Sequence, residues 1–543
     1  MTIVLIMFLA CTIAVGAIAW LKTRNAKKDT SDGYFLAGRG LSWIVIGTSM
    51  LLACLSTEQL SGQSGQVFMG NMTGAVAWEN GCIIAISIMA LVFAPRYLKF
   101  GVSTMPEYLG KIYDRQTQLI VSTLLIIGYI ATLLPTVLYS GAVVFNEIFD
   151  VAGLLGVSDS VAVTIVGAAI GIIGLCYTVF GGLRMVAFSD TINGVLLLCG
   201  CVTVPFFGLA TLGKGNIIQG FSTLLEKVPA EKFNAIGAVN AQAPEFPFPT
   251  LFLGVAVFWL FYWCTSQVII QKTFAAKSLA EAQKGILTCA AFKLPGPWYI
   301  GFTGLLSFAI FKGTDMFERI AARNGDIAYA ALIKEVIPTP VLGIVAAAVF
   351  GAVLSSFNGA LNSCTTMFSL DIYKQWIQKD ADDEKLVKVG RIFGFILALL
   401  SIIIAPFIIY APTGLYDLMM NIFNFLNVPI LAIMLFALFS KKVPPIAAKV
   451  AIVQHIILYA ICMKVVPPSI HYMYVSGACF WINMLVIFVI TKISPRKEPM
   501  YDGSDNVVDI TPWKYAKVMV AVLLCCVVVS FVIFSPLVLA KVR

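Results

Sequence analysis

Three clusters of polar residues interrupt stretches that are otherwise apolar enough to lie in lipid. Each could hold a charge or a polar solute. The first is Lys293, in CAAFKLPGPW. It lies about nine residues into an apolar run, ~13 Å at 1.5 Å per residue, close to a bilayer midplane. An ammonium at that depth is costly and needs an aqueous cavity or a partner. Glu79, in VAWENGC, reaches a similar depth from the other side. A Glu79–Lys293 pair, or both groups on one polar ligand, satisfies each charge; a purely structural ion pair is the plainer alternative. The second cluster is Ala352, Ser355 and Ser356, at i, i+3 and i+4 and so on one helix face. Two hydroxyls and a backbone carbonyl suit a hard monovalent cation, although serines in lipid also simply bond across to a neighbouring helix. The third is LLACLSTEQLSGQSGQVFMG, Leu51 to Gly70, which opens as a membrane helix and turns polar from Ser56 to Gly65. Within a bilayer such a break is tolerated only where it packs in protein or lines a wet cavity, and broken helices point to transport sites. Oxygens freed between Leu52 and Leu55 could complete the cation shell begun by the serines.

Two further segments stay open. Asp190 follows a glycine turn in YTVFGGLRMVAFSD, with Arg184 one to two turns earlier. It is either a surface salt bridge or a relay for a cation. The run Trp259 to Gln267, WLFYWCTSQ, sets aromatics beside polar groups. It suits stacking on a sugar, closing a gate, or an ordinary aromatic core.

The elements that must position these groups are membrane helices. The chain has 543 residues, 59% hydrophobic and 12% charged, with a mean hydropathy of +0.91. No soluble globular class has such values. Apolar runs predict about fourteen spans, at 2–21, 41–69, 74–95, 118–143, 158–180, 186–212, 249–271, 283–311, 339–370, 391–411, 414–440, 446–465, 469–491 and 517–538. The first lacks a basic flank and a small-residue cleavage site, so it reads as a helix rather than a cleaved leader. Roughly 26 of the 37 lysines and arginines fall in the odd-numbered connections, Lys27, Lys28, Arg39, Arg184 and Lys272 among them. That bias places those connections in the cytoplasm and both termini outside. The net charge of +9 then marks inner-surface loops rather than a nucleic-acid site. Thirteen cysteines without a C-x-x-C read as packing residues, and two histidines exclude a His-rich metal site. No phosphate-binding loop, H-E-x-x-H or nucleophile elbow is present, so no enzyme is expected.

The stretches SDGYFLAGRGLSW, STEQLSGQSG, PTVLYSG, YTVFGGLRMVAFSD, FYWCTSQVIIQKTFAAKSLAEAQKG, AAFK and LSSFNGALNSCTTMFSLDIYK together resemble the sodium/solute symporter family, of the sodium–glucose cotransporter type. The likeness is in particular to an uncharacterised bacterial branch. It implies an all-α, LeuT-like core of two inverted five-helix repeats over 31–442. One extra helix would lie within 1–30, and three more within 443–543. Carried over by position, a sodium ion would be held by carbonyls of Leu52, Leu55 and Ala352 and by the hydroxyls of Ser355 and Ser356. Asp190 falls at a position linked to coupling. Gln59, Glu79 and Lys293 fall at retained sugar positions, and Tyr262 at an inner gate. Other substrate positions depart from sugar-transporting members. Cys54, Trp259 and Leu133 replace asparagines, Cys82 a serine and Met420 a glutamine, with Asn421 next door.

The expected function is therefore a sodium-coupled importer of a small polar solute in the cell's inner, plasma membrane, foremost a sugar or sugar derivative. A symporter of an organic acid or amino acid, and a solute sensor that does not transport, are the alternatives. The expected partners are sodium, the solute and the bilayer.

Overall fold

The structure, a computed structural model, describes residues 2–24, 30–410, 415–501, 503 and 507–541. Lys27 and Lys28 of the first basic loop lie outside these residues. Twelve described helices are long and apolar enough to cross a membrane, and two bent pairs bring the spans to as many as 14. In chain order they are α1 (Thr2–Thr23), the pair α2 (Trp43–Cys54) and α3 (Thr57–Met69), α4 (Thr73–Lys99), α5 (Arg115–Phe149), α6 (Asp159–Thr178) and α7 (Gly182–Leu212). The next span, Phe248–Phe274, contains α8 (Gly254–Cys264) and α9 (Gln267–Phe274). There follow the pair α10 (Leu279–Lys293) and α11 (Pro297–Phe311), then α12 (Thr339–Ile377), α13 (Asp383–Ile408), α14 (Met419–Phe439), α15 (Pro445–Val465), α16 (Tyr472–Ile493) and α17 (Ala516–Ile533). The fourteen spans read from the apolar runs are recovered.

Burial separates centre from rim. Of the most apolar part of α12, 83% is inside the protein, against 17% for α1 and 22% for α17. The outer helices turn leucine, isoleucine and valine outward, as hydrocarbon requires. Deep in the core α12 is small and hydroxyl-rich, so neighbouring backbones approach it closely. Beyond that segment Asp371, 1% exposed, accepts from Thr104 Oγ1 (2.8 Å), Gln118 Nε2 (2.8 Å) and Ser122 Oγ (3.0 Å), tying α12 to α5.

Three spans are interrupted. Between α2 and α3, Leu55 (φ −99°, ψ 79°) and Ser56 (φ −122°, ψ −173°) leave the helix, and the two halves meet at 53°. The interruption is shorter than the polar sequence suggests, because Thr57–Met69 is helical again. That polar helix is stable because protein surrounds it: eleven of its thirteen residues are buried. Ser64 Oγ accepts from Thr303 Oγ1 at 3.1 Å. Gly65 lies on the backbone of Gly325, where a Cβ would come within 2.7 Å of the carbonyl. The second break, at Thr265 and Ser266 (φ −133° and −66°), falls in WLFYWCTSQ, five spans after the first. The third bends α10 against α11 by 40°. The apolar run reads as one continuous span there, but Pro295 and Pro297 remove amide donors and open the helix just after Lys293.

Gly65→Val should cost about 1–3 kcal/mol, since its methyls meet backbone that cannot swing aside. Thermal denaturation in detergent should show a fall of several degrees, with a smaller fall for Gly65→Ala. A valine variant as stable as the parent would refute the packing argument.

Candidate functional site

Helix α2 ends with carbonyls that have no amide partner one turn on, and they carry the negative end of its dipole. They face α12. Ser356 Oγ lies 3.2 Å from Ala53 O and 3.5 Å from Leu52 O. Ala53 was not among the expected ligands and supplies the nearer oxygen. Leu52, Leu55 and Ala352 are fully buried, and Ser355 and Ser356 are each 2% exposed. Both serines thus face protein rather than lipid. The Ser355 side chain lies beside the Asp190 carboxylate and interacts with it. The structure therefore brings Ser356 of α12 to the Leu52 and Ala53 carbonyls of α2 in the protein interior.

Asp190 does not make the surface salt bridge that its sequence allowed. It is 1% exposed and takes a 2.5 Å hydrogen bond from Ser49 Oγ on α2. No ion pair joins it to Arg184 among the described residues. The opposing charge it feels is that of Lys272 on α9, whose Nζ donates to Val268 O at 2.5 Å. Lys272 was read as a cytoplasmic loop charge; it is 1% exposed, inside the protein.

On the far side of the α2–α3 break is a small central cavity of about 30 Å³, room for a water or two. Gln59, Cys82, Leu133, Trp259, Tyr262, Lys293 and Met420 of the sequence candidates line it; Cys54, Glu79 and Asn421 do not. Glu79 sits directly behind Lys293, the two joined at 2.7 Å with 0% and 1% of their side chains exposed. Its π-turn at Ala77–Gly81 bulges toward the α10–α11 break. There the lack of a side chain at Gly296 admits Glu79: a Cβ would lie 2.4 Å from the Glu79 Cβ. Asn80, in the amide orientation that satisfies its surroundings, donates to Lys293 O and Leu294 O at 3.1 Å and accepts from Ser530. The carbonyls freed at the end of α10 are thus capped from α4. Cys54 Sγ lies 3.8 Å from Lys293 Nζ, and Cys82 Sγ bonds weakly to Glu79 O at 3.5 Å. The Trp259 ring occupies the space above Gly81, where a Cβ would be 2.4 Å away.

Sequence reasoning missed several wall residues. Glu58, Trp78, Phe258, Trp263, Met419 and Phe423 also face the cavity. Glu58 was visible within the polar run. Trp263 was visible within WLFYWCTSQ, whereas Trp78, Phe258 and Phe423 gave no signal, because facing the cavity rather than lipid depends on the breaks and π-turns that rotate their helices.

Residues 34–457 match the model of the Sodium:solute symporter family. The Uncharacterized symporter YidK of Escherichia coli (strain K12) is 40% identical over 511 residues, 94% of this chain and 87% of the relative. The Sodium/glucose cotransporter of Vibrio parahaemolyticus is 30% identical over 478 residues, 86% and 85% of the two chains. The Sodium/myo-inositol cotransporter of Mus musculus is 29% identical over 531 residues, 89% and 72%. The fold is shared with a solved Na+-coupled sialic acid symporter, at a TM-score of 0.75 and 18% identity over 91% of this chain and 99% of that one. It is also shared with the transporter Mhp1, at a TM-score of 0.54 and 14% identity over 87% and 98%. The architecture is the LeuT-like inverted repeat.

Glu79→Gln or Lys293→Met alone strands a buried charge and should cost about 3–5 kcal/mol. The double replacement should recover part of that loss. Thermal denaturation of the three variants gives the coupling; simple addition of the single losses would mean that the two charges do not act as a pair.

Proposed function

Since the chain belongs to the sodium:solute symporter family, we propose that it imports a small polar organic solute, coupled to sodium, by alternating access between the two sides of the membrane. The observation that carries this reading is the meeting of the carbonyl end of α2 with Ser356, next to a cavity walled by Gln59, Lys293 and Tyr262. Sodium is held by Leu52, Leu55, Ala352, Ser355 and Ser356, with Ala53 as a further oxygen. All these donors are neutral, so the ion is bound weakly enough to be released. Asp190, one hydrogen bond from α2 through Ser49, links the occupied site to the inner side.

Residues 31–442 form the transport core, with the helix in 1–30 and the three in 443–543 packed outside it. Both termini face outward, in a plasma membrane. Sodium on the α2 carbonyls fixes the angle of the break. It thereby orders Gln59 on α3 and favours solute binding from outside, a coupling by differential affinity. One charge falling through 100 mV with a tenfold gradient supports roughly a few-hundred-fold accumulation.

The solute is a sugar, polyol or derivative of one. Relatives named for glucose and for myo-inositol support that class, as does the wall of rings that can stack on an apolar sugar face. Unmodified glucose is a poor fit. Cys54, Cys82, Leu133, Trp259 and Met420 stand where amides and a hydroxyl would be needed, and lost hydrogen bonds of that kind discriminate strongly.

In sealed proteoliposomes an inward sodium gradient should drive uptake of at least one member of a panel of sugars, polyols, amino acids and organic acids. No sodium-driven uptake of any of them would refute the proposal. Ser356→Ala should raise the sodium concentration for half-maximal uptake several-fold, and an unchanged value would remove Ser356 from the ion site.

A further inference from the structure

Glu58 is 4% exposed and lies on the cavity wall. Its carboxyl accepts a hydrogen bond from Ser56, the residue at the break. Among the described residues no lysine, arginine or histidine forms an ion pair with it. The other charge on the wall, Lys293, is already paired with Glu79 behind it at 2.7 Å. The cavity wall therefore holds a buried carboxyl group that no described cationic side chain pairs. The positive end of α3 offsets part of the charge of its carboxylate form, since Glu58 lies in that helix's first turn.

The rest of the wall points the same way. Trp78, Phe258, Trp259, Tyr262, Trp263 and Phe423 enclose the space. Such rings present negative faces to a cation, and Lys293 Nζ already lies 5.7 Å from the centre of the Trp263 ring. The wall offers the Glu58 carboxyl and Gln59 Oε1 as acceptors, the latter buried without a partner, and Trp259 Nε1 as a buried donor without one. A neutral sugar offers donors and acceptors in balance. An ammonium offers three donors and no acceptor, which suits this wall better.

We propose that the transported solute carries a protonated amine beside its hydroxyls, an amino sugar or amino polyol, with the amine seated between the Glu58 carboxylate and the aromatic wall. This rests on the reading of the cavity as the solute site. Glu58 supplies the counter-charge. The rings supply cation–π attraction and exclude water, and Trp259 Nε1 donates to a hydroxyl of the solute.

The test is equilibrium binding followed by the fluorescence of the wall tryptophans, on full-length protein in detergent with sodium chloride at neutral pH. The probes are matched pairs: glucosamine against glucose, galactosamine against galactose, and serinol against glycerol. In the pair that binds tightest, the amine should bind about ten-fold or more tighter than its neutral partner. Glu58→Gln should bring that ratio to within about two-fold. Equal or tighter binding of the neutral partner, or no binding by any amine, overturns the proposal in the parent protein alone, whether or not the variant folds. A ratio unchanged in Glu58→Gln also overturns it. If Glu58→Gln instead abolishes stabilisation by sodium chloride without solute and leaves the ratio intact, the carboxylate serves the metal and the proposal is likewise lost. A neutral sugar that binds only with sodium would sink the amine and leave the symporter reading intact. Amine binding indifferent to sodium would do the reverse.

Discussion

In hydrocarbon a peptide group without a partner costs several kcal/mol, and the α2–α3 break leaves a whole helix end in that condition. Most of what is distinctive in the centre of this protein answers that cost. The hydroxyl of Ser356 comes within hydrogen-bonding range of the Leu52 and Ala53 carbonyls. Ser56 turns to Glu58, and Thr57 bonds Ser140 of α5 at 2.7 Å. The helix that supplies Ser356 must then be thin enough to approach, which is why α12 is rich in alanine, glycine and serine where it passes the break. The cation site proposed above and the solution to a backbone problem are the same group of atoms.

The buried charges follow a related economy. Lys293 closes α10 at a bend made by two prolines, and Glu79 reaches it from a π-turn in α4. Each distortion would be unfavourable in lipid alone. Together they put two charges 2.7 Å apart and leave spare carbonyls where Asn80 can cap them. Asp190 and Lys272 form a second charged group on the side of the serines, apart from the residues that line the central cavity. In the mechanism proposed above, these two charged clusters let ion and solute sense each other through the angle of α2 against α3.

Much of this could be read from residue order, for reasons that differ by element. The spans were legible because lipid leaves few alternatives to about twenty apolar residues in a helix. The first break was legible because LSTEQLSGQSG cannot face acyl chains. Its true extent was not: polar residues look the same whether they form a loop or a helix packed inside protein. The bend after Lys293 was masked by the apolar residues around KLPGPW, although both prolines announced it. Lys272 was misread as a surface charge because it lies at the end of an apolar run, where snorkelling to the interface is the usual outcome. The serine face was legible from spacing alone, whereas Ala53 was invisible, because any residue can offer a carbonyl. The π-turns that bring Trp78 and Leu133 to the cavity have no pattern in sequence.

The contact between Trp259 and Gly81 binds the histories of two positions a hundred and more residues apart. The indole fills the volume that a side chain at 81 would need, so neither site is free to drift alone. A lineage that restores a small amide at 259 regains a hydrogen-bonding arm and opens a void beside α4, which a larger residue at 81 can then fill. One that enlarges 81 first must pass through a jammed intermediate. Substitution at this pair is therefore easiest in one order, with the tryptophan yielding before the glycine.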